Sequence, residues 1–239
     1  MLTNLKELYG NKLAAKDGDI GHVLDFYIDD KTWVVRYLVV DTGSWLSSRL
    51  VLITPHAFGR LDNNEKVLHV NLTRTQIESS PAIEWHQQVF REYEIAYYRY
   101  YGLAAYWEGG ATWGFSDFPV ALPPSKTEIE NNLSSRNQAN TPLRSTKVLK
   151  GYHVLATDRA IGFLKDAVID GRSWAIHKLV VETGHWYSGK EIQISPGNIN
   201  LISYDAAEVF VNLTEADIQQ AAEQELAPVG AGFQQAKSC

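Results

Sequence analysis

One block of this chain occurs twice at a fixed spacing and without a gap. Residues 2–77 recur as residues 143–218, every match 141 positions later. Gly10 pairs with Gly151, Ile20-Gly21 with Ile161-Gly162, Asp25 with Asp166 and Trp33 with Trp174. Leu38-Val39-Val40 returns as Leu179-Val180-Val181, and Thr42-Gly43-x-Trp45 as Thr183-Gly184-x-Trp186. Val70-Asn71-Leu72-Thr73 returns as Val211-Asn212-Leu213-Thr214. About a third of the aligned positions are identical. A repeat of this length demands one small domain used twice, each copy just large enough for its own core.

Within a copy the pattern is β. Val34 to Val40 and Ala175 to Val181 are short, mostly apolar runs rich in β-branched residues, as buried strands are. Gly21 to Asp29 alternates loosely and ends in the turn Asp29-Asp30-Lys31; its twin ends in Asp170-Gly171, a hairpin signal. Further strands run from Leu50 to Ile53 and from Ile192 to Ile194, stopping at Pro55 and Pro196. A last strand covers Lys66 to Asn71, or Glu208 to Asn212. Each copy then closes on a short helix. Thr73-Arg74-Thr75-Gln76 has the form of a capping box, and Thr214 to Asp217 is a weaker version. Five or six short strands joined mostly by hairpins bury their apolar faces by curling into a small barrel.

The intervening segment is different. Residues 85–118 hold 12 of the 27 aromatic residues, too many for a disordered linker. Trp85, Val89, Tyr93, Tyr97 and Tyr101 fall every fourth residue, which predicts one apolar helical stripe ended by Gly102. From Pro123 to Pro142 the chain turns to Ser, Asn, Gln and Pro, a linker composition. The predicted organisation is therefore a mainly β chain of two small barrels in tandem. Barrel 1 covers 1–80, an aromatic helical extension 81–122, a polar linker 123–144, barrel 2 145–225 and a frayed tail 226–239.

Composition excludes several functions. The net charge is −6, with no basic face suited to a run of phosphates, so general nucleic-acid binding is not expected. The single cysteine, Cys239, allows no internal disulfide, which fits a reducing, cytoplasmic setting. Neither a secretory signal nor a transmembrane run of about 18 apolar residues is expected. The sequons at Asn71, Asn132 and Asn212 read as caps and linker.

No chemistry-bearing constellation stands out. Asp25, Asp29, Asp30 and Asp41, mirrored by Asp166, Asp170 and Glu182, read as turn and strand-end carboxylates; Asp25 and Asp41 are expected to flank strand ends or pair with Arg36 or Arg49. The seven histidines show no ligand spacing; His153 and His185 alone lie where a cross-strand approach is plausible. No catalytic, cofactor-binding or metal-ligating residue is expected. The candidates that remain are aromatic: Trp45 and Trp186 after the glycine turns, and Tyr97, Tyr98, Tyr101, Tyr106 and Trp107 in the extension. They suit an interface. The favoured role of each Trp is a lid on its own barrel, and that of the extension is packing on the barrels or on a second copy. Trp33 and Trp174 read as core.

Ile20-Gly21 with Asp25, Trp33 before Leu38-Val39-Val40, the Gly43 turn, the stop at Pro55 and the Leu72-Thr73 cap resemble a PRC-barrel domain, and the second copy matches at the same positions. That small barrel forms the cytoplasmic part of the H subunit of photosynthetic reaction centres and the C-terminal domain of a 16S rRNA processing factor. Tyr97 to Gly102 with Tyr106-Trp107 is similar to an aromatic extension of a soluble bacterial branch. The resemblance implies a non-enzymatic scaffold that docks a protein partner, in a photosynthetic or stress-related complex. A homodimer using the aromatic segment is expected. The alternative is a small-molecule carrier with an aromatic groove between the barrels.

Overall fold

In the computed structural model the residues described are 1–62, 64–83, 89–123, 143–184 and 189–226. Fourteen strands fall into two seven-stranded sheets. Barrel 1 is built from β2 (Lys12–Ala15), β3 (Gly18–Asp29), β4 (Val34–Asp41), β5 (Leu50–Ile53), β6 (Phe58–Asp62) and β7 (Val67–Val70) in the order β5-β4-β3-β2-β7-β6. Barrel 2 repeats that order with β9 (His153–Leu155), β10 (Ala160–Asp170), β11 (Ile176–Thr183), β12 (Glu191–Ile194), β13 (Ile199–Ser203) and β14 (Glu208–Val211). Neighbours are antiparallel except β2 with β7 and β9 with β14. The mainly β, two-barrel expectation holds, and the strand ends at Pro55 and Pro196 fall as predicted.

The repeated residues explain themselves locally. A Cβ on Gly21 would lie 1.9 Å from the Asp41 carbonyl oxygen, and one on Gly162 lies 2.0 Å from that of Glu182. The Ile-Gly pair therefore lets a long strand press against its neighbour where any side chain would collide. Trp33 and Trp174 sit at φ 56° and 59°, and each N–H bonds back to the carbonyl of Asp29 or Asp170 to close the hairpin. Ile20, Leu38, Val40, Ile53, Val70 and Ile77 are buried, and so are their twins in copy 2. The capping box at Thr73 is complete ahead of α1 (Arg74–Glu78). Thr214 and Asp217 exchange equivalent bonds ahead of α4 (Glu215–Leu226).

The copies are not separate barrels. The segment preceding each barrel adds to the sheet of the other. β1 (Leu2–Asn4) pairs with β10, setting Thr3 opposite Ile169, while β8 (Arg144–Ser145) pairs with β3, setting Arg144 opposite Ile28. Those two contacts are the same contact seen from either copy. The reciprocity recurs: Val35 N–H donates to Trp174 O at 2.9 Å and Ile176 N–H to Trp33 O at 2.7 Å, flanking an isolated bridge from Val34 to Ala175. Lys6 N–H donates to Asp166 Oδ1 and Lys147 N–H to Asp25 Oδ1, both at 3.1 Å. The molecule has an internal two-fold, and boundaries at 80 and 145 cut across pairings that cross it.

The aromatic helix α2 runs Arg91–Tyr101, shorter than the stripe from Trp85 predicts. Phe90 is its extended N-cap residue, Val89 precedes it outside the helix, and Trp85 lies outside the described residues. Gly102, at φ 63°, ends it as expected. The linker from 124 and the tail from 227 lie outside the described residues.

Candidate functional site

The aromatic extension is a module bolted to barrel 1. Its anchor is Arg36, a charge in the middle of an otherwise apolar strand and only 1% exposed. The guanidinium donates to Thr112 O at 2.8 Å and to Thr32 Oγ1 at 3.1 Å, with Asp29 Oδ2 at 3.5 Å. It also lies 3.7 Å from the Tyr106 ring centroid and 4.7 Å from that of Trp113. A buried cation is tolerable only when held by acceptors and ring faces such as these, which leave Nε alone unpaired. Asp29 is kept below the usual carboxylate range despite its burial, by the Thr32 hydroxyl, Arg36 and the Lys31 and Thr32 amides.

A second polar knot sits beside it. Glu94 on α2 is 2% exposed and accepts the hydroxyls of Tyr106 at 2.9 Å and Tyr37 at 3.3 Å. Arg91 pairs with it at 2.9 Å. Burial pushes the Glu94 carboxyl up to about 7, against the pull of Arg91 and the Tyr106 hydroxyl. Tyr97 lies across the outer edge of β5, its hydroxyl accepting Thr54 N–H and donating to Leu52 O, both at 3.1 Å. This hydroxyl closes part of an edge that would otherwise be open. His56, bonded to Thr54 Oγ1 at 3.0 Å, is edge-on to Tyr98 and Trp113, and burial drives its pKa down to about 4.

These contacts sort the sequence candidates. Tyr97, Tyr98 and Tyr106 are buried in their own chain, so the expectation that they form an interaction surface is corrected: they hold the module to barrel 1. Tyr101 and Trp107 are half-buried at its margin, Tyr101 tilted against Tyr97 and Trp107 edge-on to Tyr98. Trp45 is half-buried on its own barrel with the Arg74 guanidinium 4.5 Å above its ring, the lid arrangement. Trp186 and His185 lie outside the described residues, and His153 rests against the Phe163 ring at 4.6 Å. Trp174 is buried against Phe58 of the other barrel, while Trp33 is half-buried.

Asp41 ends β4 and Asp29 ends β3 at its turn, as expected, while Asp25, inside β3, does other work. Asp25 pairs with neither arginine. It receives the hydroxyls of Ser145 and Thr146 and the Lys147 N–H, capping α3 (Thr146–Leu149), which begins the other copy. Asp41 accepts the Gly43 N–H, not an arginine. Asp30 takes Arg144 and the Tyr204 hydroxyl across the junction, and Arg144 stacks 3.5 Å over the Tyr204 ring. Arg49 donates to the carbonyls of Glu78 and Ser80. Sequence reading missed Arg36, Glu94 and Arg144 as organisers. A lone arginine inside a strand of buried type was the one available signal.

What stays outside is the rim of the module. Phe115 is 64% exposed and Phe118 41%, with Val120 and Leu122 beside them in sequence and also exposed. The backbone there is fixed, not splayed: Ala104 N–H reaches Leu122 O at 2.8 Å and Trp113 N–H reaches Ser116 O at 2.7 Å. Trp113 Nε1 donates to Ser173 O at 2.8 Å, tying the module to barrel 2 as well. Among the described residues barrel 2 has no such cover: His177, Gln193 and Gly197, the twins of Arg36, Leu52 and His56, are exposed. Among the described residues no three His, Cys, Asp or Glu side chains gather as a metal cluster, and no helix is long and apolar enough to cross a membrane.

Comparison with known proteins agrees with this architecture. An uncharacterized protein of Deinococcus radiodurans is 26% identical over 228 residues, spanning 87% of this chain and 76% of the relative. That alignment extends well beyond one copy of the repeat. The PRC-barrel domain family matches residues 4–77, the stretch from the exchanged β1 through α1. The chain therefore carries a PRC-barrel domain at residues 4–77, and its repeat builds a second sheet of the same strand order.

Proposed function

We propose that this protein is a non-enzymatic docking platform, and that the exposed apolar rim of the module is the surface it presents. The rim carries the reading: four apolar side chains close in sequence stand on a backbone locked from both sides. Solvent-exposed apolar clusters on fixed supports favour partner binding, because their burial costs little ordering. The polar groups with shifted protonation, Glu94 and His56, face inward and serve packing, which speaks for a scaffold over a reaction centre. The family resemblance supports a protein partner, in a photosynthetic or stress-related complex of the bacterial cytoplasm. The first partner proposed is a second copy, joined rim to rim. Sedimentation at micromolar concentration should give a dimer for the wild type and a monomer for the Phe115→Asp, Phe118→Asp double variant. A monomeric wild type sinks the dimer. A rim variant that still captures every partner of the wild type sinks the rim.

A further inference from the structure

Where the second copy's leading segment crosses barrel 1, it roofs a cavity of about 360 Å³. Leu24, Val39 and Leu50 of barrel 1 line it on one side, and Leu143 and Val148 of the crossing segment on the other. The internal two-fold supplies a built-in control. The twins of Leu24 and Leu50 are Lys165 and Glu191, and the twin of Val148 is Glu7. Across that other crossing Lys165 bridges Glu182 at 2.6 Å and Glu191 at 3.1 Å, an ordinary solvated ion-pair face. The fold is thus satisfied by charges at these positions, and packing does not demand leucine or valine there. Val148, 55% exposed, stands at the open side of the cavity beside Leu143.

The polar rim has a sign. Moving from one crossing to the other replaces two carboxylates, Glu191 and Glu7, with Leu50 and Val148 and one ammonium, Lys165, with Leu24, a net loss of one negative charge, while Lys6 is kept as Lys147. Asp25 also lines the cavity, but its oxygens already receive Ser145, Thr146 and Lys147 N–H. Arg144 is spent on Asp30 and Tyr204. The Lys147 ammonium has no carboxylate partner among the described residues; the contact it does make is the Tyr9 ring, 5.7 Å away. A mainly apolar hollow of this size, with a lysine in its lining that has no carboxylate partner among the described residues and with its one carboxylate, Asp25, already holding three donors, fits an apolar body bearing a single negative charge.

We propose that this crossing is a binding site for a small amphipathic carboxylate, its unbranched apolar tail on Leu24, Leu50 and Val148 and its carboxylate at Lys147. Octanoate is the probe, titrated calorimetrically into the full chain beside 1-octanol. The expected result is saturable one-to-one binding of octanoate with a dissociation constant of about 10⁻⁴ M, and 1-octanol weaker by about tenfold. Lys147→Glu should weaken octanoate about tenfold and leave 1-octanol unchanged. Leu50→Glu should abolish both; it installs the residue that the other crossing already carries, and an unchanged thermal transition verifies its fold. No saturable octanoate binding overturns the proposal. So does equal affinity for the alcohol, or binding that survives Leu50→Glu.

Discussion

The buried ionisable groups under the module titrate in opposite directions, and that makes their role measurable. Glu94, held at about 7 by burial, is raised above its unfolded value. The folded state therefore holds its proton longer than the unfolded chain, and the Glu94 contribution is lost as pH rises toward 7. His56, held down to about 4, behaves inversely: its contribution is present above the ordinary histidine range and lost as pH falls toward 4. Between about pH 4.5 and 6.5 the two oppose each other in the wild type. Relative to wild type, Glu94→Gln should gain about 1–3 kcal/mol on going from pH 5 to pH 8, and His56→Gln should gain a similar amount on going from pH 7 to pH 4.5. Urea unfolding midpoints across pH decide this; parallel pH profiles for the wild type and both variants contradict the burial argument. Glu94 was invisible in sequence as a special residue, because one Glu among aromatic neighbours on a helix looks like its solvated face.

At the scale of elements, the exchanged leading segments deserve the most weight, since they make one body of two repeats. Asp25 and Asp166 are identical and in register, yet they are not equal. Asp25 receives two hydroxyls and a backbone N–H from the other copy, whereas Asp166 receives the Lys6 N–H and keeps one buried oxygen without a partner. Burial accordingly pushes the Asp166 carboxyl upward. Asp25→Ala should cost about 2–4 kcal/mol, leaving several donors at the junction unmet, and Asp166→Ala about 1 kcal/mol or less. Chemical denaturation of both variants checks the asymmetry; equal losses would contradict the bonding described. The aspartates were legible as repeated residues, but a cap on a segment some 120 residues away has no local signature. The same holds for α2. Its fourfold spacing and Gly102 stop were plain, while its start at Arg91 was set by how the module docks.

For the molecule as a whole, the crossings predict a single cooperative unit. Neither barrel keeps its sheet complete without the other's leading segment, and the module is tied to barrel 1 by Arg36 and to barrel 2 by Trp113. Calorimetry of the full chain should show one transition with calorimetric and van't Hoff enthalpies in agreement. Two resolved transitions would mean that the barrels unfold independently and that the crossings contribute little.

The sequence by itself determined the domain type, the doubling, four strands of each copy, the turns between them and the helix caps. These rest on local periodicity and on sterics between near neighbours, which the repeat states twice. Only the tertiary structure decided that the copies trade their leading segments, that Tyr97, Tyr98 and Tyr106 turn inward, and that one crossing is apolar where its twin is charged. Each of those is a contact between distant residues, selected by what the folded chain brings together, and identical residues at Asp25 and Asp166 meet different neighbours there.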